Sequence, residues 1–155
     1  MPIIHTTHQI VGGARVRIQI TLGRADVRHR RQAGMAIPAP VPAIALLDIG
    51  AECTCVDPAI IAPLNLPVSS GGLIVTPGGV TGPAALGGAS PRVTYEAGLV
   101  IPHGSDPKLN LVIPSLEIEA IPLTQFGIDA LIGRDVLANC VLVYDGPAGT
   151  VTLAH

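Results

Sequence analysis

Two segments of the chain carry apolar residues in different patterns, and both patterns predict β-strands. Residues 14–22 (ARVRIQITL) alternate apolar side chains such as Val16 and Ile18 with polar ones, which is typical of a strand buried on one face. Residues 43–48 (AIALLD) are nearly continuously apolar, which favours a strand buried on both faces. This second strand ends at a carboxylate, Asp48. An ionised group at the end of an apolar strand is costly unless it has a partner or a purpose.

Apolar runs farther along the chain predict a mostly β, single domain covering residues 1–155. Asp57-Pro58 is a typical helix start, since Asp can cap a helix and Pro fits its first turn, and residues 134–139 predict a second short helix. Residues 32–42 are expected to form a loop, and residues 69–91, rich in Gly, Pro, Ser and Thr, a long hairpin or mobile loop. Further strands are predicted at 73–75, 93–101, 109–113, 116–121 and 130–133, with a hairpin at 140–153.

The composition supports this β-rich interpretation and narrows the functional classes. Of 155 residues, 48% are hydrophobic and only 13% charged, so a folded core is expected rather than disorder. The 18 glycines and 15 prolines favour turns and short strands over helices. Aromatic residues are only 2%, so the core must be built mainly from Val, Ile, Leu and Ala.

Neither nucleic acid nor a membrane is an expected partner. The net charge is −2, and the one basic run, Arg28 to Arg31, is most simply a solvated loop without interleaved aromatic residues. No segment approaches the ~20 apolar residues of a membrane span, and residues 1–11 lack the pattern of a secretory signal. The three cysteines do not form a disulfide framework, so a reducing, cytoplasmic location is expected.

Asp48 admits a structural and a functional interpretation. An Asp shortly before Gly50 is common in turns, which is the simpler explanation. Turn aspartates usually follow polar residues, however, whereas Asp48 follows the apolar run AIALL, and the strand pattern resumes after Ala51. This context favours a functional carboxylate.

The segment ALIGRDVL (130–137) is the second distinctive stretch. Gly133 would permit a turn from a buried strand into a helix, with Arg134 on the surface. Alternatively, Arg134 is held inward and paired with a carboxylate such as Glu52.

Taken together, LLDIGA and ALIGRDVL resemble the retropepsin-like aspartic proteases, the single-domain relatives of the retroviral enzymes. In that family two apolar residues precede Asp, Thr or Ser, Gly and Ala, and an apolar-apolar-Gly-Arg-Asp/Asn segment precedes the helix. The resemblance implies an all-β closed barrel with one short C-terminal helix, which acts as a homodimer. It implies an aspartic endopeptidase that cleaves a peptide or protein substrate without a metal or cofactor.

The resemblance makes Asp48 the catalytic residue. Such an enzyme needs two neighbouring carboxylates that share a proton, one to activate a water molecule and one to donate to the scissile carbonyl. Asp129, Asp135 and Asp145 lack the sequence context of Asp48, so the second carboxylate would have to come from a second copy of the chain.

The resemblance also implies roles for the residues around Asp48. The flap, a hairpin that covers bound substrate, would span approximately residues 72–92, with VTPGGVTG (75–82) at its tip, although a plain β-turn explains these glycines nearly as well. Arg134 would anchor Glu52. The expected substrate-binding residues are Gly50, Ala51, Glu52, Cys53, Gly78 and Gly79, and those expected to support the site are Ile49, Thr54, Arg134 and Asp135.

The chain departs from the family at Ile49, where Thr or Ser is usual. The hydroxyl of that residue bonds to the other subunit, and the loss of two symmetric bonds costs ~0.5–1.5 kcal/mol each. Contact between two Ile side chains would recover part of this. The alternative function is therefore a catalytically weak or inactive dimer that binds peptides or assists assembly. A third possibility is an all-β interaction domain whose two motifs match by chance.

Cys53 and Cys55 would face the same side of a strand, as a metal-binding pair would. A zinc site needs two more ligands, and the five histidines show no suitable spacing. The sequence therefore predicts no metal site.

Overall fold

A computed structural model of the chain describes residues 1–9, 12–75, 89–104 and 106–155. Most of the expected flap, including Gly78 and Gly79, lies outside these residues. The strands are β1 (Ile3–Gln9), β2 (Gly13–Leu22), β3 (Val41–Leu47), β4 (Cys55–Val56), β5 (Val68–Val75), β6 (Ala89–Ile101), β7 (Leu111–Ala120), β8 (Ala130–Ile132), β9 (Val141–Asp145) and β10 (Thr150–Ala154). The α-helices are α1 (Arg24–Gln32), α2 (Pro58–Ile61) and α3 (Arg134–Leu137), and short 3₁₀ helices lie at Ala62–Leu64, Pro107–Leu109 and Thr124–Phe126.

Six strands close into a barrel in the order β2-β3-β8-β4-β7-β6, and β6 pairs back with β2. The β3–β8 and β4–β7 pairs are parallel, whereas the other four are antiparallel. The alternation predicted for residues 14–22 places Val16, Ile18, Ile20 and Leu22 in the core, where their side chains are almost fully buried. The sequence-based prediction of an all-β closed barrel is therefore confirmed.

The two ends of the chain form a small antiparallel arm on the barrel. β1 pairs with β10, β10 pairs with β9, and the last residues of β1 pair with the start of β2. The hairpin predicted at 140–153 is present as β9 and β10. The sequence pattern did not predict β1, because its residues IIHTTHQ carry little apolar alternation.

A second hairpin extends from the barrel. β5 and β6 pair antiparallel from Val68↔Tyr95 to Val75↔Ala89, which confirms the predicted hairpin over its described residues. β6 is the longest strand of the described residues, and its C-terminal half, which includes the pair Leu99↔Ile20, also closes the barrel. The hairpin and the barrel therefore share strand β6.

The prediction of a loop for the basic run Arg28 to Arg31 is wrong, because these residues belong to α1. None of the residues of α1 is buried, so the apolar periodicity that usually reveals a helix is weak. An Asp26–Arg30 ion pair one turn apart, with 3.2 Å between Oδ2 and Nε, adds modest support. Its basic last turn also suits the negative end of the helix dipole.

The two strands predicted at 109–113 and 116–121 form one strand, β7. The pairing with β6 passes from Ala97↔Leu116 to Leu99↔Ile113, so β7 has an extra residue at a bulge. Pro114, which has no N–H to donate, lies within this irregularity and gave the appearance of a strand end.

The two short helices form where the sequence predicts them. The Asp57 carboxylate accepts a hydrogen bond from the Ala59 N–H at 2.9 Å and Pro58 occupies the first turn of α2, while α3 begins at Arg134. Among the described residues, no helix is long and apolar enough to cross a membrane.

Candidate active site

Asp48 lies where two parallel barrel strands end side by side. β3 pairs with β8 through Leu47↔Ile132, and the Asp48 N–H continues this ladder by donating to the Ile132 carbonyl at 3.0 Å. The chain then turns sharply, with the Ala51 N–H donating to the Asp48 carbonyl at 3.2 Å. The pairing of β3 with β8 thus fixes the backbone of Asp48, and the turn that follows directs the chain away from the core.

The carboxylate of Asp48 is half-buried and has remaining capacity to accept hydrogen bonds. Its Oδ1 accepts from the Gly50 N–H at 2.8 Å, and this is its only hydrogen-bond donor among the residues that the structure describes. The next side chain, Ile49, is 68% exposed. The tip of this turn therefore presents an acid and a large apolar group to the outside of the single chain.

Residues 48–54, here called the aspartate loop, are anchored at their far end by Thr54. Thr54 is fully buried, and its N–H and hydroxyl each donate to a different oxygen of the Asp135 carboxylate at 2.8 Å. The Thr54 hydroxyl in turn accepts from the Gly133 N–H at 3.2 Å, and Asp135 accepts from the Val136 N–H at 2.9 Å. One carboxylate therefore ties the aspartate loop to the first turn of α3.

Backbone contacts between the two motifs require a glycine at position 133. A Cβ atom there would lie 2.5 Å from the carbonyl carbon of Cys53 and 2.6 Å from its oxygen. Two backbone hydrogen bonds also join the motifs: the Arg134 N–H donates to the Ala51 carbonyl at 3.0 Å, and the Asp135 N–H donates to the Glu52 carbonyl at 3.3 Å. The absence of a side chain at Gly133 lets the strand-to-helix junction lie directly against the loop.

Arg134 and Glu52 form the ion pair suggested by the sequence, with 3.5 Å between Nη2 and Oε1. The pair is not held inward, because the two side chains are 55% and 88% exposed. Arg134 also donates from Nη1 to the Ile49 carbonyl at 3.4 Å. Such an exposed pair contributes little to stability, but its contact with Ile49 reaches the tip of the aspartate loop.

A polar cluster at the far end of the aspartate loop joins the two cysteines to residues that the sequence analysis did not link to them. It consists of Cys53, Cys55, Glu119 and Arg92, and it forms because β4 pairs with β7 through Cys55↔Glu119 while Arg92 of β6 reaches the Glu119 carboxylate. The Glu119 N–H also donates to the Thr54 carbonyl at 3.0 Å. Only the strand pairing brings Glu119 to the cysteines, since it is distant from them in sequence.

Burial favours the protonated form of the two thiols in this cluster. Burial raises the pKa of Cys53 to about 11, and the hydrogen bond and negative charge of Glu119 add to the effect. Burial also raises the pKa of Cys55 strongly, with further contributions from Cys53 and Glu119. The positive charge of Arg92 acts in the opposite direction on both thiols without overcoming burial.

Asp57, which follows β4, is a second carboxylate near the loop, but its acceptor capacity is used. Besides capping α2, its Oδ2 accepts from the N–H groups of Leu123 and Thr124 at 2.7 and 2.9 Å. Desolvation by burial opposes its ionisation, yet hydrogen bonds from Thr124, Ala59 and Leu123 hold its pKa below the usual range. The sequence indicated its capping role but not its links to residues 123–124.

The structure thus brings together most residues predicted from the two motifs. Asp48 stands at one end of the loop, and the contacts above join the rest to α3. Gly78 and Gly79 lie outside the described residues. The predicted residues that meet here are Asp48, Ile49, Gly50, Ala51, Glu52, Cys53, Thr54, Arg134 and Asp135.

Comparison with known proteins supports the fold. No protein-family model and no curated protein matches the sequence. Among solved structures, the chain is similar to a retropepsin-like aspartic protease from Rickettsia conorii, with a TM-score of 0.53 and 11% sequence identity over 97% of this chain and 89% of that one. The chain therefore has a retropepsin-like fold.

Proposed function

We propose that this protein is an aspartic endopeptidase that acts as a homodimer, with Asp48 of each copy forming the catalytic pair. The observation that carries the proposal is the position of Asp48, a carboxylate with spare acceptor capacity on a loop that Asp135 and Gly133 hold to the barrel. The fold similarity to a retropepsin-like protease agrees with it.

The proposed mechanism uses the two carboxylates in different protonation states. The ionised one accepts a proton from a water molecule lying between them, and that water attacks the scissile carbonyl carbon. The protonated one donates to the carbonyl oxygen, and a proton then passes to the amine as the C–N bond breaks. Gly50 N–H, which donates to Asp48 Oδ1, orients the carboxylate for this exchange.

Two exposed apolar surfaces favour association of two chains. Ile49 lies next to Asp48 with 68% of its surface exposed, and burying it against its symmetry mate would be favourable. β9 is an edge strand of the described sheet, and Val141 and Val143 expose about half of their surface there. An edge strand with exposed apolar side chains is suited to pairing with another chain.

Ile49 also supports a second candidate function, a dimer that binds peptides with little or no catalysis. Ile has no hydroxyl to bond across the two-fold axis, so the two aspartates would be held less rigidly. This candidate shares the fold and the dimer with the first and differs only in turnover.

A peptide-cleavage assay distinguishes the two. The purified chain is incubated with a mixed peptide library at about pH 4–7, the range in which two neighbouring carboxylates can share a proton. Asp48→Asn should abolish cleavage, whereas the control Asp106→Asn should retain it. Asp106 is matched because its Oδ1 also accepts a backbone N–H two residues on, from Lys108 at 3.0 Å, in the connection between β6 and β7.

The outcomes assign the function. Cleavage that persists in Asp48→Asn would refute the proposed mechanism. No cleavage by the parent together with cleavage by Ile49→Thr would favour the peptide-binding dimer. Sedimentation that finds only monomer at concentrations where peptide is cleaved would exclude a carboxylate pair shared between chains.

A further inference from the structure

The cluster beside the aspartate loop contains three groups that are good metal ligands. The Sγ atoms of Cys53 and Cys55 and a carboxylate oxygen of Glu119 all lie within 4.8 Å of one another. Cys55 and Glu119 are buried, and their Sγ and Oε2 atoms are 3.9 Å apart. Neither the fold nor the proposed mechanism requires this combination of side chains.

We propose that Cys53, Cys55 and Glu119 form a binding site for a thiophilic divalent cation, of which Zn²⁺ is the representative. Two thiolates and one carboxylate are ligands that Zn²⁺ accepts, with a water molecule completing four-coordination. Thiolate ligands also disfavour Mg²⁺ and Ca²⁺, which prefer oxygen.

The spacing requires only a small contraction of the cluster. Two thiolates bound to zinc at ~2.3 Å in a tetrahedron are about 3.8 Å apart. A thiolate and a carboxylate oxygen bound at ~2.0 Å are about 3.5 Å apart. The three ligand atoms therefore need to approach one another by at most about 1.3 Å, and the Cys55–Glu119 pair by about 0.4 Å. Cys53 is only half-buried, so the site is open to an entering ion on that side.

Arg92 supplies the positive charge that lies next to Glu119 in the structure. Its guanidinium Nη1 hydrogen-bonds and ion-pairs with Oε2 of Glu119, which compensates the charge of a buried carboxylate. A metal ion bound to Glu119 would compete with Arg92 for this charge. Arg92 lies in the part of β6 that pairs with β5, where it is opposite Gly72. Metal binding that displaces Arg92 from Glu119 would therefore change the contacts of the β5–β6 hairpin.

The coordination step is a simple exchange of protons for metal. Each thiol releases its proton to solvent as its sulfur binds the ion, so two protons leave for each ion bound. Nothing is oxidised or reduced. The sequence predicted no metal site because it showed only two ligands, whereas the strand pairing supplies Glu119 as the third.

The test is metal binding by the full chain, measured with Zn²⁺ in competition with a chromophoric chelator and with Co²⁺ by absorption spectroscopy at about pH 8, where loss of thiol protons is easier than at acidic pH. We expect one ion per chain and a near-ultraviolet thiolate-to-cobalt band with the intensity of two thiolates. Cys53→Ser should weaken Zn²⁺ binding by at least about 10- to 100-fold and halve the band. Cys140→Ser is the matched control, since Cys140 is also half-buried but outside the cluster, and it should change neither quantity.

Two further variants test the other members of the cluster. Glu119→Gln should weaken Zn²⁺ binding while leaving the two-thiolate band in place. Arg92→Met should strengthen Zn²⁺ binding, because it removes the competing cation. Circular dichroism establishes that each variant is folded, and Cys53→Ser, which changes a half-buried thiol, decides the question if substitution of buried Cys55 or Glu119 prevents folding.

Several results would overturn the proposal: equal Zn²⁺ affinity in the parent and Cys53→Ser, a Co²⁺ spectrum without a thiolate band, or weaker binding in Arg92→Met. The site does not depend on proteolysis. Peptide cleavage without metal binding refutes the site alone, and metal binding without cleavage refutes the proposed enzyme alone.

Discussion

Asp48 and Asp57 are nine residues apart, and both follow a barrel strand, yet their surroundings are opposite. Asp57 is 4% exposed and accepts backbone hydrogen bonds from Ala59, Leu123 and Thr124. Asp48 is half-buried and, among the described residues, accepts one hydrogen bond, from the Gly50 N–H. A carboxylate surrounded by backbone donors organises the fold, whereas one with few donors at the end of a strand can still accept hydrogen bonds from water.

Asp135 belongs with Asp57 in this comparison. Its two oxygens receive three hydrogen bonds, two from Thr54 and one from the Val136 N–H. The loop of the candidate catalytic acid is thus held by another acid, both of whose oxygens accept hydrogen bonds from the fold. Substitutions at these carboxylates and their partners should separate structural from catalytic roles.

The largest loss of stability is expected for Asp57→Asn. The amide cannot accept all three backbone N–H bonds at once, and bonds to a charged group contribute ~1.5–3 kcal/mol each, so we expect a loss of about 2–4 kcal/mol in the free energy of unfolding. Urea denaturation measures it. Asp106→Asn is the control, because Asp106 caps an exposed turn in the same way, and it should cost less than about 1 kcal/mol. Equal effects would show that burial of Asp57 does not matter.

The stability difference between the parent and Asp57→Asn should disappear at acidic pH. Because the folded state holds the pKa of Asp57 below the unfolded value of about 3.9, the ionised carboxylate stabilises the fold at all pH values above that unfolded value. This stabilisation is lost as the pH falls through the lower, folded pKa. The difference between parent and variant, measured by urea denaturation, should therefore be full at neutral pH and shrink below about pH 4. A constant difference would contradict the assignment.

The second-largest effect is expected for Thr54→Val, which keeps the shape of the side chain but removes its hydroxyl. Asp135 loses one donor and the buried Gly133 N–H loses its acceptor, so a loss of about 2 kcal/mol is expected in thermal or urea unfolding. Thr54→Ser retains the hydroxyl and loses only a methyl group, which should cost about 1 kcal/mol or less. If the two variants are equally stable, the Thr54–Asp135 link does not anchor the loop.

The contrast between these carboxylates shows what the sequence can reveal. The apolar run before Asp48 predicted β3, and the glycine at 133 predicted the strand-to-helix junction, because both depend on local pattern. The cap at Asp57 was predicted for the same reason. The hydrogen bonds between Asp57 and residues 123–124 were not predicted, because these residues meet only after strands distant in sequence have paired.

Regions governed by tertiary pairing were correspondingly harder to predict. Glu119 meets the cysteines through the parallel pairing of β4 with β7, for which no short-range signal exists. Helix α1 was missed because it buries no residue and so shows no clear apolar stripe. β1 was missed because its strand is defined by its partner β10 rather than by its own alternation.

Arg134→Gln should have a smaller effect on stability than the substitutions above. The Arg134–Glu52 pair is mostly exposed, and pairs of this kind contribute ~0.2–1 kcal/mol. We expect a loss within that range by thermal unfolding, and a smaller one at high salt because solvent ions screen the pair. Glu52→Gln should give the same loss if the pair alone is responsible. A larger loss for Arg134→Gln would assign the excess to its hydrogen bond with the Ile49 carbonyl.

Asp48→Asn should change stability least of all, although it is the substitution expected to abolish cleavage. The amide oxygen of Asn can still accept from the Gly50 N–H, and the half-buried site leaves water to hydrate the rest, so the change should lie within about 0.5 kcal/mol. Urea denaturation of the variant beside Asp57→Asn measures the contrast directly. A loss comparable to that of Asp57→Asn would make Asp48 a structural carboxylate too. Unchanged stability with lost cleavage would leave catalysis as the reason for an acid at the end of β3.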